Sequence, residues 1–117
     1  MQDFRNLKVW QKAHALTLAV YQATTRFPGD ERFGLTVQLR RTSTDIPTNI
    51  SDGCGRGTDA EFLKCLFQAM GGGNRLEYLL LLSHDLGYLP GPEHQRLTTD
   101  VIEVKRMIAG LIHSLNG

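Results

Sequence analysis

LRRTSTDIPTNISDGCGRG, residues 39–57, decides the fold, because it admits opposite readings. Its arginine pair and glycine-rich tail suggest a ligand loop or a basic nucleic-acid patch, while Pro47 in the middle suggests a broken helix. The apolar positions choose between these. Leu35, Leu39, Thr42, Ile46, Ile50 and Gly53 recur at steps of three and four, and fall within about 80° of one another on a helical wheel. A loop has no reason to keep that phase through a proline. The spacing predicts one helix over 31–53, bent near Pro47. Pro47 has no N–H to give the Ser43 carbonyl and its ring crowds that carbonyl, a defect of about 3 kcal/mol in a helix interior. Thr42, Ser43 and Thr44, one turn earlier, carry hydroxyls suited to bonding freed carbonyls.

The glycines at 53, 55 and 57 do not make a nucleotide site. A phosphate fingerprint needs a strand before it and a helix after it; here a helix precedes, and the lysine and Ser/Thr of a P-loop are missing. Gly53–Gly57 reads as a helix stop and a turn, with anion contact by Arg56 and the next helix's opening N–H groups as the alternative. That next helix is announced by Thr58-Asp59-Ala60-Glu61, a capping box with Thr58 as N-cap and Glu61 at the third position. Its pattern runs over 59–86 and stops at Gly87, placed as the left-handed residue after the helix, with Tyr88 or Leu89 making the accompanying apolar contact. Leucines crowd this segment until little polar face is left, which predicts the most buried helix of the fold.

Two further helices flank this pair. Residues 7–26 carry two apolar stripes, one of Leu7, Trp10, His14, Leu18 and Tyr21, the other of Val9, Ala13, Leu16, Val20 and Phe27. One stripe suffices to dock a helix, so two predict burial on two sides, at the centre of the fold or at a subunit contact. Residues 92–115 open on Pro92, suited to a first helical position. They then repeat Leu97, Val101, Val104, Ile108, Leu111 and Leu115 at alternating four and three residues, a seam of about three heptads. Four helices joined by short connections predict an antiparallel, up-down-up-down, all-α four-helix bundle occupying residues 1–117 as a single domain.

Composition narrows the function. The chain has 117 residues, 13 Lys+Arg against 12 Asp+Glu and a formal net charge of +1, too balanced for a free-standing basic nucleic-acid binder. No segment approaches the roughly 18 apolar residues of a membrane span, and the first residues lack a signal-peptide core. Cys54 and Cys65 are too few for a disulfide framework. The expectation is a cytoplasmic protein with reduced thiols and no membrane partner.

The residues offer little catalytic machinery. His14, His84, His94 and His113 form no HxxxH or ExxH pair, so no metal site is expected; His14, on an apolar stripe, reads as a packed imidazole. Neither cysteine has a histidine base placed beside it by spacing, and no serine sits in an elbow motif. Glu77 lies near an apolar stripe and calls for a structural partner such as an arginine. Gly71-Gly72-Gly73 falls inside the third helix, where close approach of a neighbour is the first explanation and a local distortion or ligand niche the second. The reading is therefore not an enzyme, with no cofactor and no small-molecule substrate. Two classes remain: a self-associating interaction module, and a nucleic-acid-binding protein using Arg40, Arg41, Arg56, Lys8 and Lys12 as phosphate contacts.

FRNLKVWQKAHALTLAVY, FPGDERFGLTVQLRR, DIPTNISDGCGRG, EFLKCLFQAMG and LLLSHDLGYL, in that order, resemble the four-helix-bundle family of the 23S rRNA intervening-sequence proteins. The resemblance implies an antiparallel bundle that assembles as a homopentamer, with no established enzymatic activity. It extends to the accessory protein of diversity-generating retroelements, a related pentameric bundle that binds nucleic acid, which implies RNA or DNA as a partner to be considered.

Overall fold

A computed structural model describes residues 3–116. Among them there are four α-helices and no strand: α1 (Lys8–Thr24), α2 (Leu35–Cys54), α3 (Asp59–Asp85) and α4 (Gly91–Asn116), with short 3₁₀ turns at Phe4–Asn6 and Gly29–Glu31. None of the helices is long and apolar enough to cross a membrane. α1 and α3 each pack against both α2 and α4, in a body of 43 × 23 × 20 Å. These contacts are those of a helix bundle. At 1.5 Å per residue the 27 residues of α3 span almost the full long dimension.

The contacts between neighbours run in opposite residue order. Along α1 and α2, Thr24 meets Arg40 and Thr17 meets Ser43. On α3 and α4, Glu77 meets Lys105 and His84 stacks on His94. Between α1 and α4, Lys12 meets Glu103, and Arg26 just past the end of α1 meets Glu93. The core between the helices is made by one stripe from each: Val9, Ala13, Leu16 and Val20; Leu35, Leu39, Ile46 and Ile50; Leu66, Ala69, Leu76 and Leu80; Leu97, Val101, Val104 and Ile108. The α4 seam loosens at its end, where Leu111 and Leu115 are only half-buried.

α2 is continuous through Pro47, which is itself buried. The freed Ser43 carbonyl finds a donor on another helix. Thr17 of α1 donates its hydroxyl to it at 2.8 Å, while Ser43 and Thr44 turn back to the Arg40 carbonyl. The defect in α2 thus becomes an interhelical hydrogen bond.

Several helix ends differ from the sequence reading. α1 stops at Thr24 instead of 26, because Thr25 N–H and its hydroxyl both turn to the Gln22 carbonyl and tighten the last turn. α2 begins at Leu35, four residues later than expected. Gly34 leaves helical geometry, and the Glu31 side chain accepts from Leu35 N–H at 3.0 Å, so the capping group lies upstream of the helix. The same carboxylate accepts from the Tyr88 hydroxyl at 3.1 Å, tying the α3–α4 connection to the start of α2. Pro92 is the second residue of α4, still inside the first turn where an N–H has no intrahelical partner.

The turn chemistry agrees with the reading elsewhere. Thr58 accepts from Glu61 N–H at 3.2 Å at the start of α3. Past its end Gly87 has φ +83°; Gly87 and Tyr88 donate to the His84 and Ser83 carbonyls, the paired bonds of a Schellman cap. Leu89 is the residue that drops into the core. Gly53, expected to belong to the stop, lies inside α2, and a Cβ there would come within 2.5 Å of the Phe62 ring.

Candidate functional site

The five cations expected to contact phosphate do not converge. Arg40 is drawn into the α1–α2 seam: its guanidinium lies 4.7 Å from the Tyr21 ring centre, with Nε donating to Thr24 Oγ1 at 2.8 Å and Nη2 to the Tyr21 carbonyl at 3.2 Å. It brings a cation to the carbonyl end of α1, which has no basic residue of its own there. Arg56 holds both oxygens of Asp52 at 2.9 and 3.1 Å. That bidentate pair lowers the Asp52 carboxyl below its ordinary value, hydrogen bonding from Arg56 being the largest cause, and raises Arg56. Lys12 pairs with Glu103 at 3.0 Å across α1 and α4. Lys8 is exposed near the start of α1. Arg41, also exposed, faces the groove between α2 and α3.

Arg41 acquires a neighbour that the sequence reading did not include. Arg75 of α3 lines the same groove, together with Gln38, Asn74 and Tyr78. It continues toward Asn49, Phe67 and Gln68, past Asp45 and Gly71. Tyr78 and Phe67 are 60% and 57% exposed. Among the described residues neither Arg41 nor Arg75 makes an ion pair. The juxtaposition was visible only as helical spacing at two positions 34 residues apart, which fixes no relative rotation.

The glycine triplet shapes this wall. A Cβ on Gly72 would stand 3.1 Å from Ile46 Cγ1, and one on Gly73 only 2.8 Å from Lys105 Cγ. Gly72 therefore allows α2 close, and Gly73 makes room for the stem of Lys105 on its way to Glu77, which it meets at 2.8 Å. A lysine, not an arginine, neutralises Glu77. On Gly71 a Cβ would meet Arg75 Nη1 at 3.3 Å, so the guanidinium folds back over the bare backbone.

A second groove lies between α1 and α2 and has different chemistry. Phe4, Trp10, Leu18 and Tyr21 line one wall, and Thr44 and Pro47 the other; no carboxylate, lysine or arginine is among its lining residues. Phe4 meets Trp10 edge-on at 4.8 Å, and His14 stacks on Trp10 at 5.0 Å with the rings 9° apart. His14 is exposed, so its imidazole packs on the surface and not in the core. Leu18 and Tyr21 are 58% and 43% exposed. Of the two stripes on α1, one is core; of the other, Leu7 and Trp10 are partly buried against it, and His14, Leu18 and Tyr21 are exposed.

α3 likewise is not wholly buried. Phe67, Tyr78 and Leu81, with Leu86 just past its end, are exposed, because only α2 and α4 flank it, and a helix apolar all round then keeps an outward side.

The family model described as 23S rRNA-intervening sequence protein matches residues 5–110. The crystal structure of a protein of unknown function from the S23 ribosomal protein family of Bacteroides thetaiotaomicron is similar, with a TM-score of 0.80 and 21% identity over 89% of this chain and 97% of that one. At that identity the likeness speaks for the fold. No curated protein matches the chain in sequence.

Proposed function

The chain belongs to the family of 23S rRNA-intervening sequence proteins, and from that membership we propose that it works as a non-enzymatic, homo-oligomeric interaction module in the cytoplasm. The observation that carries this reading is the outward α1 stripe. Trp10, Leu18 and Tyr21 form an apolar strip beside Pro47, in a groove with no carboxylate, lysine or arginine among its lining residues. Exposed apolar strips of this kind mark protein contacts. Leu81 and Leu86, at the end of α3, are exposed away from that strip, α1 and α3 not being neighbours in the bundle. A head-to-tail contact between the α1 strip and the Leu81–Leu86 end of α3, repeated around a closed ring, covers both and leaves the α2–α3 groove with Phe67 and Tyr78 open; the family resemblance puts five subunits in that ring.

An up-down-up-down course belongs to the same reading, supported by the reversed order of the contacts between neighbouring helices. So does a bend at Pro47, which the Thr17 bond to Ser43 would hold against α1. The absence of an enzymatic role is supported by what the acidic groups do: Asp52, Glu77, Glu93 and Glu103 are each engaged by a basic partner. Free thiols at Cys54 and Cys65 suit a reducing compartment. No membrane and no small-molecule substrate enter the proposal.

Replacing Leu18 by Glu tests it. The side chain is 58% exposed in the single chain, so the helix content should stay and the assembly should fall apart. An assembly unchanged by Leu18→Glu would remove the α1 strip from the interface.

The alternative reading, nucleic-acid binding through an arginine strip, is favoured by one observation: the unpaired Arg41 and Arg75 share a groove.

A further inference from the structure

We propose that the α2–α3 groove binds single-stranded nucleic acid, with Arg41 and Arg75 on phosphates and the rings of Tyr78 and Phe67 stacking on bases. This rests on the alternative reading above, moves it away from Arg40, Arg56, Lys8 and Lys12, and stands independently of self-association.

The α1–α2 and α2–α3 grooves sort by chemistry. The α1–α2 groove has no lining residue of fixed charge, which suits another protein surface. On the α2–α3 side two guanidinium groups, neither in an ion pair among the described residues, outnumber the single carboxylate of Asp45. Desolvating two such cations under an apolar partner would be costly without anions to meet them. A phosphate backbone supplies those anions, and the fork of an arginine matches phosphate in two places.

Aromatic interleaving, missing when the arginines are read along α2 alone, is supplied by α3. Phe67 and Tyr78 stand eleven residues apart and both are more than half exposed. That spacing is about 16 Å along the helix, room for about four stacked nucleotides. Between them Gly71 leaves the wall low, and the Arg75 guanidinium lies across it. Amides at Gln38, Asn74, Asn49 and Gln68 stand along the groove as donors and acceptors for base edges that only an unpaired strand presents. Exposed rings favour a single strand over a duplex, whose bases are already stacked.

The test is fluorescence anisotropy with a labelled single-stranded RNA of about a dozen nucleotides, its duplex as comparison, and light scattering on the same samples. The single strand should bind more tightly than the duplex. With two phosphates neutralised per groove, affinity should fall about seven-fold between about 50 and about 200 mM salt. Arg41→Ala/Arg75→Ala should abolish most of that salt dependence and leave the mass of the assembly unchanged. Tyr78→Ala should weaken binding about ten-fold or more at an unchanged salt slope, and Tyr78→Phe should restore it. Arg56→Ala and Lys12→Ala, whose partners are Asp52 and Glu103, should bind as the parent does. The proposal is overturned by no binding at low salt, by equal affinity for duplex, or by an arginine double variant that binds unchanged. A double variant that dissociates the assembly would instead assign the groove to a second copy of the chain, and would also overturn it.

Discussion

Pro47 shows how one side chain on another helix can repair a backbone defect. Ser43 is wholly buried, and its carbonyl accepts from Thr17, whose hydroxyl also lies 3.1 Å from the Ala13 carbonyl. Thr17→Val keeps the shape and removes the donor, and should cost about 1–3 kcal/mol in urea unfolding, the penalty of an unsatisfied buried polar group. In a Pro47→Ala background residue 47 regains an N–H for Ser43, so the same Thr17→Val change should cost markedly less. Equal costs in the two backgrounds would show that the two sites do not communicate. The cysteines make a second prediction at this scale. Burial raises both thiols above their ordinary value, with Asp52 adding to the effect at Cys65 and Asp3 at Cys54. A raised value favours the neutral thiol, so at pH 8 iodoacetamide should modify both far more slowly in the folded protein than in urea. Rapid modification of the native protein would contradict that burial.

Helix by helix, the glycine triplet separates kinds of close approach that look alike in sequence. Gly71→Ala would meet only the movable end of Arg75, and should stabilise the fold by up to about 1 kcal/mol through helix propensity. Gly72→Ala would press on Ile46, which is fully buried, and should lose that gain to repacking. Thermal melts of the two variants side by side check the order; Gly72→Ala as stable as Gly71→Ala would mean that α2 can move aside. The periodic positions were legible because burial on one face writes itself as a step of three or four, and the seams of Leu39–Ile50 and Leu97–Ile108 are core as their spacing implies. Helix starts were less legible where the capping group lies upstream, as Glu31 does for α2. The site was least legible of all. Spacing along α2 says that Arg40 and Arg41 leave the core, but only the neighbouring helices decide that Arg40 folds onto Tyr21 while Arg41 faces Arg75. Glu77 gave a true signal, a carboxylate near an apolar stripe that needed a partner, without saying that Lys105 on α4 would be it.

Across the whole molecule, the second stripe of α1 is the feature that one chain leaves unexplained. Val9, Ala13, Leu16 and Val20 fill the core, whereas Leu18 and Tyr21 stay half open beside Pro47. Burying an apolar side chain such as Leu is worth about 1.5–3 kcal/mol, and a few of them repeated around a ring hold subunits together where a single contact would not. Light scattering on the purified protein at micromolar concentration measures this most directly. The proposed module should give a mass several times the 13.1 kDa of one chain, five times it if the ring is the one the family resemblance implies, and Leu18→Glu should bring it down to one chain with its helix content intact. A parent protein that runs as a 13.1 kDa monomer at that concentration would contradict the account.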